Sequence, residues 1–257
     1  MKAIILGCGP SAGVPRVGDD WGTLNPANPK NRRSRASIIV EAGGRRILVD
    51  TGPDLRTQLL DNNISRVDAV IWTHDHADHC HGIDDVRALA IMSGGPIEGY
   101  ARTYTLHELQ RRFTYAFQGK ENYPALYEPK LLADAQDIAG MKVSAVDMPH
   151  GAISSAGLRF EYGGIAVGYA TDFNPVTDEM TGLFEGLDLF VVDAMRRKPH
   201  PLHPTLDMIL EWVSVIKPKR TVITHMDSTM DYEQLQAELP MQVVPAYDGM
   251  HIDCMLV

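Results

Sequence analysis

Histidine is concentrated in one short stretch of this chain. Four of the ten histidines lie within eight positions, and three of them belong to the string His74-Asp75-His76-Ala77-Asp78-His79. Imidazole and carboxylate groups at this spacing place several ligands for a divalent metal on one tight loop. A surface loop that is rich in histidine by chance is the weaker alternative. The string therefore predicts a metal site.

The elements that must position this loop follow from the pattern of apolar residues. Short runs rich in β-branched residues predict strands at 3–6, 37–40, 46–49, 69–72, 142–146, 165–170, 189–192, 221–224 and 242–244. Helical patterns fall between them at 54–60, 84–92, 106–117, 206–216 and 232–239. The pairs Gly43-Gly44 and Gly163-Gly164 predict hairpin turns. This mixture predicts an α/β fold in which polar loops after the strands collect the chemistry at one edge of the sheets.

The two halves of the chain share a faint repeat. The segment 43–52 is echoed by 163–172, and the segment 66–76 by 186–196. We interpret residues 1–257 as a single domain of two packed halves. An unrelated α/β chain would also show such echoes, so a duplication stays open here.

Composition limits the classes of function. The 257 residues are 44% hydrophobic and 22% charged, as in an ordinary globular chain. With 24 basic and 33 acidic side chains the net charge is −9, which disfavours long nucleic acid as a partner. The three cysteines form no CxxC pair and suit a reducing compartment. No apolar stretch is long enough for a membrane span or a signal-peptide core, so we expect a cytoplasmic protein without membrane contact.

The histidine string resembles the signature of the metallo-β-lactamase superfamily. That resemblance implies a four-layer αβ/βα sandwich with a metal site on one edge, and it extends to three later residues in the family's order, His150, Asp172 and His225. For single residues a core or surface role is the ordinary interpretation, but their order after predicted strands favours metal binding. The resemblance implies one ion held by His74, His76, His150 and Asp172, and a second held by Asp78, His79, His225 and the bridging Asp172. Zinc or manganese is expected, with iron as an alternative, because a mixed histidine and aspartate shell accepts each of them.

A second element resembles the phosphodiesterase branch of the superfamily, which includes the phosphoribosyl cyclic phosphate phosphodiesterases and the tRNA 3′-processing endonucleases. The segment 196–205 is similar to the H-x-[ST] element of that branch, which implies that His203 is the catalytic histidine and that His200 assists it or binds phosphate. The structural alternative is that both histidines cap the helix beginning near Thr205. Asp50 and Asp193, at strand ends, are expected to orient metal-bound imidazoles.

The resemblance to the cyclic phosphodiesterases contains one departure. Members often carry a structural zinc on a C-x-C-x-x-C motif after the turn that Gly13-Val14-Pro15 matches, but residues 17–24 contain no cysteine. We therefore expect no structural zinc.

Several side chains are candidates for substrate contact. Arg32, Arg33 and Arg35 suit a phosphate, and a solvated basic loop is the alternative. Tyr123 and Tyr127, in a Pro-containing loop, are candidates for stacking on a base or ribose.

These expectations combine into a binuclear phosphodiesterase. Two divalent ions with Asp78, Asp172 and a bridging hydroxide leave a positive centre, which suits an anionic substrate. We expect the hydroxide to cleave a small phosphodiester, such as a ribose cyclic phosphate or a cyclic nucleotide, with Asp78 and His203 in catalytic roles. Two alternatives stay open: hydrolysis of an ester, thioester or lactone, and a non-catalytic metal-binding role like that of the pyrroloquinoline quinone biosynthesis B family. A homodimer is common in this superfamily and is a further expectation.

Overall fold

The computed structural model describes residues 1–254, which form two seven-stranded β-sheets. In spatial order, the first sheet contains β14 (Met250–Asp253), β1 (Lys2–Gly7), β2 (Ser37–Ala42), β3 (Arg45–Val49), β4 (Ala69–Ile71), β5 (Ile97–Ala101) and β6 (Tyr127–Leu131). The second contains β13 (Val243–Pro245), β12 (Arg220–Thr224), β11 (Leu189–Asp193), β10 (Ile165–Ala170), β9 (Ile153–Tyr162), β8 (Met141–His150) and β7 (Ala135–Ile138). Strands β3 to β6 and β10 to β13 run parallel, and the other neighbours are antiparallel.

Helices connect the strands. They are α1 (Leu55–Asp61), α2 (Ala77–Cys80), α3 (Arg87–Ser93), α4 (Thr103–Arg112), α5 (Thr114–Gln118), α6 (Asp178–Phe184), α7 (Leu206–Ile216) and α8 (Tyr232–Glu238), with short 3-10 helices at Pro29–Asn31 and Ile83–Val86. None of the helices within residues 1–254 combines the length and the apolar character that a membrane crossing needs.

Two clusters of buried apolar side chains hold these layers together. Neighbouring residues of β1 point in opposite directions, as the pleat of a strand requires: Ile5 belongs to one cluster, and Ile4 and Leu6 belong to the other. The cluster of Ile5 lies between the two sheets and continues beneath α6 and α7. The cluster of Ile4 lies between the first sheet and helices α1, α3, α4 and α5. This order of helix, sheet, sheet and helix confirms the predicted four-layer α/β sandwich.

Both halves contain the same succession of elements. Strands β2 and β3 form a hairpin that is followed by α1 and the parallel strand β4, and strands β9 and β10 form a hairpin that is followed by α6 and β11. The turns are Gly43-Gly44 and Gly163-Gly164, and all four glycines have positive φ. Two consecutive residues with positive φ are what a type I′ hairpin turn needs, so both hairpin predictions are confirmed.

The apolar pattern predicted most of the strands but missed several. Each predicted strand overlaps an observed one, whereas β5, β6, β7, β9, β14 and the helices α2 and α6 were not predicted. The helix predicted over 106–117 is interrupted at Phe113, which separates α4 from α5. The helix predicted over 84–92 begins as a 3-10 turn before it becomes α3.

Candidate metal centre

The histidines and carboxylates singled out as metal ligands meet at one rim of the two sheets. The first sheet supplies His74, His76, Asp78 and His79 from the loop after β4 and from α2, and the second supplies His150 at the end of β8, Asp172 after β10 and His225 after β12. Their donor atoms lie within 4.8 Å of one another in three overlapping groups: His74, His76 and His150; His74, His79 and Asp172; Asp78, His79 and His225. The structure thus brings together all seven predicted ligands, although they span 152 positions of sequence from His74 to His225.

Several of the donor atoms lack a good hydrogen bond within the protein. The Nε2 atoms of His74, His79 and His225 are buried and make no hydrogen bond of good geometry within the described residues, although Asp172 Oδ2 lies 3.2 Å from that of His79 and 3.4 Å from that of His225. Buried polar atoms without a partner are rare and costly. Imidazole nitrogen and carboxylate oxygen are the donors that zinc and manganese accept, so the residues present fit a divalent metal.

Charge in the cluster is arranged around Asp172. Burial raises the pKa of this carboxyl, but the nearby His225 and His79 outweigh burial and hold the pKa well below its usual range. Burial lowers the pKa of His225, but the carboxylates of Asp172 and Asp193 outweigh burial and raise the pKa to about 9. The carboxylate of Asp172 and the imidazole of His225 therefore stabilise each other's charged forms, and a bound cation would stabilise the carboxylate in the same way.

Asp50 and Asp193 each contact one imidazole. Asp50 Oδ2 lies 2.7 Å from Nδ1 of His79, and Asp50 also accepts hydrogen bonds from the backbone N–H and the hydroxyl of Thr73. Asp193 Oδ2 lies 2.8 Å from Nδ1 of His203, whereas Nδ1 of His225 is 3.9 Å from Asp193 Oδ1. Asp50 thus orients an expected metal ligand, and Asp193 mainly orients the histidine expected to act as the acid.

The backbone is strained at three of these positions. Asp50, Asp172 and His225 have φ of 64°, 60° and 56°, in the left-handed region that residues other than glycine rarely adopt. Each lies within two residues of the end of a strand, where the left-handed backbone changes the direction of the side chain. Left-handed residues cost free energy and persist only where surrounding contacts hold them.

His203 reaches the cluster and His200 does not. His203 Nε2 lies 3.8 Å from Asp172 Oδ1, and His203 forms a further close group of donor atoms with His150 and Asp172. The ring of His200 is 5.0 Å from that of His203, and its Nδ1 accepts a hydrogen bond from the N–H of Leu202. Thr205, rather than either histidine, caps α7 by accepting from Met208, so the helix-capping interpretation of the two histidines is wrong.

Three of the candidate substrate contacts are accessible. Arg35 pairs with Asp54, with 3.1 Å between Nε and Oδ2, and Arg32 stacks on Trp21 with its guanidinium 5.1 Å from the ring. Both arginines line a cavity of about 600 Å³. Tyr123 is 56% exposed.

The prediction for Tyr127 is wrong. Its side chain is 1% exposed, packs 4.9 Å from the Trp72 ring, and donates a hydrogen bond from its hydroxyl to the carbonyl of Ile83. Tyr127 begins β6 rather than continuing the Pro-containing loop, so it belongs to the core beneath the first sheet.

Arg33 is neither solvated nor available to phosphate. It is 1% exposed, and its guanidinium donates to the carbonyls of Met226, Asp227 and Met230 in the segment that follows His225. We expect Arg33→Met to lower the free energy of unfolding by about 3 kcal/mol, because several buried carbonyls lose their donor. Urea denaturation measures this effect. The matched control is Arg32→Met at the exposed neighbour, which should change stability by less than about 0.5 kcal/mol. Equal stability of the two variants would contradict this role for Arg33.

Sequence reasoning overlooked residues that support the site through the backbone. Asn174 donates from Nδ2 to the carbonyl of His200, 3.0 Å away, and so fixes the loop that carries His203. Ser37 and Ser155 contact the backbone of Asp50 and Asp172. The nearest signal in the sequence was the echo between residues 43–52 and 163–172, which contains Asp50 and Asp172 but not the serines themselves.

Comparison with known proteins extends the similarity over the chain. Residues 45–226 match a family model described as a β-lactamase superfamily domain. A solved structure described as a new diphosphatase from the PhnP family has a TM-score of 0.89 and 34% identity, and the match covers 99% of this chain and 98% of that one.

Two curated relatives match over a smaller share of their length. The octanoyltransferase of Porphyromonas gingivalis (strain ATCC BAA-308 / W83) is 30% identical over 257 residues, which is 97% of this chain but 51% of the relative. The ribonuclease Z of Bradyrhizobium sp. (strain ORS 278) is 42% identical over 57 residues, which is 21% of this chain and 19% of the relative. The chain therefore spans about half of the first relative's length, and the match to the second is a short segment.

Proposed function

The chain belongs to the metallo-β-lactamase superfamily, in the branch of the PhnP family and ribonuclease Z, and from this premise we propose that it is a binuclear phosphodiesterase. The observation that carries the proposal is the pair of donor groups that share one rim. His74, His76 and His150 form one group, Asp78, His79 and His225 form the other, and Asp172 lies between them. We propose zinc or manganese as the ions and no structural zinc, since residues 17–24 offer no cysteine.

The protein contributes positions and charges to the reaction. Divalent cations, when bound, make a hydroxide nucleophile available near neutral pH and neutralise charge that develops on a phosphoryl group. Asp172 and Asp78 would fix both ions beside one another, and their carboxylates leave the centre positive. The acidic surface of the chain, with a net charge of −9, repels long polyphosphates, so the proposed substrate is a small phosphodiester such as a ribose cyclic phosphate or a cyclic nucleotide.

His203 is the proposed general acid. Its Nδ1 is held by Asp193, so Nε2 faces the donor cluster. The contact with Asp193 fixes the orientation of the ring, which aims a proton on Nε2 at the rim, where a leaving alkoxide would form. His200 is proposed to support this loop, because its ring hydrogen-bonds within it.

Arg32 and Arg35 are the proposed phosphate contacts, because both residues line one open cavity, a cavity to which none of the seven expected metal ligands contributes. The three cysteines are buried and unpaired, which supports the proposed cytoplasmic location.

The name of one relative favours a second candidate function. An octanoyltransferase acts on an acyl group, and hydrolysis of an ester or thioester at the same metals is the corresponding activity for this chain. The chain spans only half of that relative, so the name does not say which half carries the acyl chemistry. A positive centre gives more stabilisation to an anionic phosphodiester than to a neutral thioester, so we rank the phosphodiesterase first.

An assay with defined metal content tests the proposal. Metal-stripped protein should show no turnover of bis(p-nitrophenyl) phosphate, and protein reloaded in parallel with Zn²⁺ or Mn²⁺ should hydrolyse it with at least one of the ions. Release of p-nitrophenolate is followed by absorbance. An octanoyl thioester is assayed beside it with the same preparations. Full metal loading without phosphodiester turnover would refute the proposal, and thioester turnover alone would move the function to acyl hydrolysis.

A further inference from the structure

Two serines occupy equivalent places in the two halves. The hydroxyl of Ser37, on β2, lies 2.9 Å from the carbonyl oxygen of Val49 and 3.0 Å from that of Asp50. The hydroxyl of Ser155, on β9, lies 3.0 Å from the carbonyl oxygen of Thr171 and 2.7 Å from that of Asp172. Both serines are completely buried. Each therefore donates its proton to a pair of consecutive carbonyls at the end of the neighbouring hairpin strand.

This contact depends on the left-handed backbone of the two aspartates. Along an extended strand, successive carbonyls point to opposite sides, so one hydroxyl cannot approach two of them in a row. At Asp50 and Asp172 the backbone is left-handed, with φ of 64° and 60°, and two consecutive carbonyls lie within reach of the same hydroxyl. If either residue relaxed to the ordinary strand conformation, it would turn its carbonyl away and break this contact. The hydrogen bond thus stabilises the strained conformation rather than the sheet in general.

The two aspartates act on the metal centre in different ways. Asp172 lies between the two donor groups, 3.7 Å from His150 Nε2 on one side and 3.4 Å from His225 Nε2 on the other. Asp50 directly contacts a single expected ligand, His79. A change in the backbone of Asp172 therefore affects both ions, whereas a change at Asp50 mainly affects the ion of the group Asp78, His79 and His225.

We propose that Ser155 and Ser37 are positioning residues of the metal centre, each holding one left-handed aspartate so that its carboxylate points at the rim. The inference rests on the proposed function only in that the rim binds divalent ions; it does not depend on the substrate. The two serine contacts occur at matching positions of the repeated hairpins, so the second contact is an independent occurrence of the same arrangement.

Stepwise metal affinity tests the inference without reference to turnover. Zn²⁺ is titrated into metal-free wild type, Ser155→Ala, Ser37→Ala and Ser154→Ala, with a chromophoric chelator as competitor, and circular dichroism confirms that each variant is folded. Ser155→Ala should weaken both binding steps about tenfold, the effect expected from the loss of one buried hydrogen bond. Ser37→Ala should weaken one step and leave the other within about twofold of wild type. Ser154→Ala, at the exposed neighbouring position, should behave as wild type.

The pattern across the variants separates positioning from general destabilisation. If the two serines had only a structural role, both substitutions would lower the midpoint of unfolding. Ser155→Ala would then not weaken two binding steps where Ser37→Ala weakens one. Unchanged affinities in folded Ser155→Ala would overturn the inference, and so would identical losses in Ser155→Ala and Ser37→Ala. If the wild type binds two ions but hydrolyses no phosphodiester, the proposed function is refuted and the positioning role of the two serines is not. If the wild type binds no ion, both the proposed function and the positioning role are refuted.

Discussion

Replacement of Asp172 by asparagine is expected to abolish stable metal binding and to lower kcat/KM about a thousandfold or more. The carboxylate is 2% exposed, and its oxygens lie 3.2 Å from His79 Nε2 and 3.4 Å from His225 Nε2. Asparagine keeps the shape of the side chain but removes the charge shared by both donor groups. The substitution therefore changes metal binding with little change in packing.

Two measurements check this result, metal content by mass spectrometry and kcat/KM for bis(p-nitrophenyl) phosphate. The control is Asp188→Asn. Asp188 immediately precedes the same β11 strand that ends at Asp193, but it pairs with Lys219 and belongs to none of the groups of potential metal donors. Full metal content and activity in Asp172→Asn would show that the donor cluster is not the metal centre.

Replacement of His203 by alanine is expected to lower kcat about a hundredfold to a thousandfold for a substrate with an alkoxide leaving group, and much less for p-nitrophenolate. An alkoxide is a strong base and needs a proton as it departs, whereas p-nitrophenolate leaves without one. Because Asp193 holds Nδ1, the proton for transfer is on Nε2, the atom that faces the cluster. Deleting this imidazole removes the proton donor but none of the seven expected metal ligands.

The comparison uses two substrates, a nucleoside 2′,3′-cyclic phosphate and bis(p-nitrophenyl) phosphate, with kcat measured for both under saturating metal. His107→Ala is the control for loss of a histidine, because His107 is exposed on α4. His200→Ala should cause a smaller loss than His203→Ala, because His200 supports the loop without reaching the cluster. Equal losses for both leaving groups in His203→Ala would assign His203 a positional role instead of proton transfer.

The metal ligands could be predicted because their signal is local. His74, His76, Asp78 and His79 lie on one loop and a single helical turn, so their spacing alone brings them together. His150, Asp172 and His225 required the resemblance to order them, since each is a single residue after an ordinary strand.

Residues whose role depends on a distant neighbour could not be predicted in this way. The structural role of Arg33 depends on backbone carbonyls about two hundred positions away in the sequence. Nothing in its own basic segment distinguishes Arg33 from Arg32. Strand β5 contains Gly99, where a Cβ would lie 2.7 Å from the Trp72 ring. This glycine interrupts the apolar pattern, so the sequence does not predict the strand. Strand β9 was missed for a similar reason: Ser155 and Gly157 are buried within it, and its sequence therefore lacks the alternation of apolar and polar residues.

Each of the two donor groups takes residues from both sheets, and this has a consequence for the lifetime of the protein. Neither of the two proposed donor groups is complete on a single sheet, so these groups form only after the two sheets have docked, and ions bound there would act as a cross-link at that rim. A ligand that binds only the folded chain stabilises it by mass action, by about 4 kcal/mol when its free concentration is a thousand times its dissociation constant. Loss of that stabilisation raises the population of open states on which proteases act. A metal-starved cell is therefore expected to hold fewer copies of this protein, in addition to a smaller active fraction of those that remain.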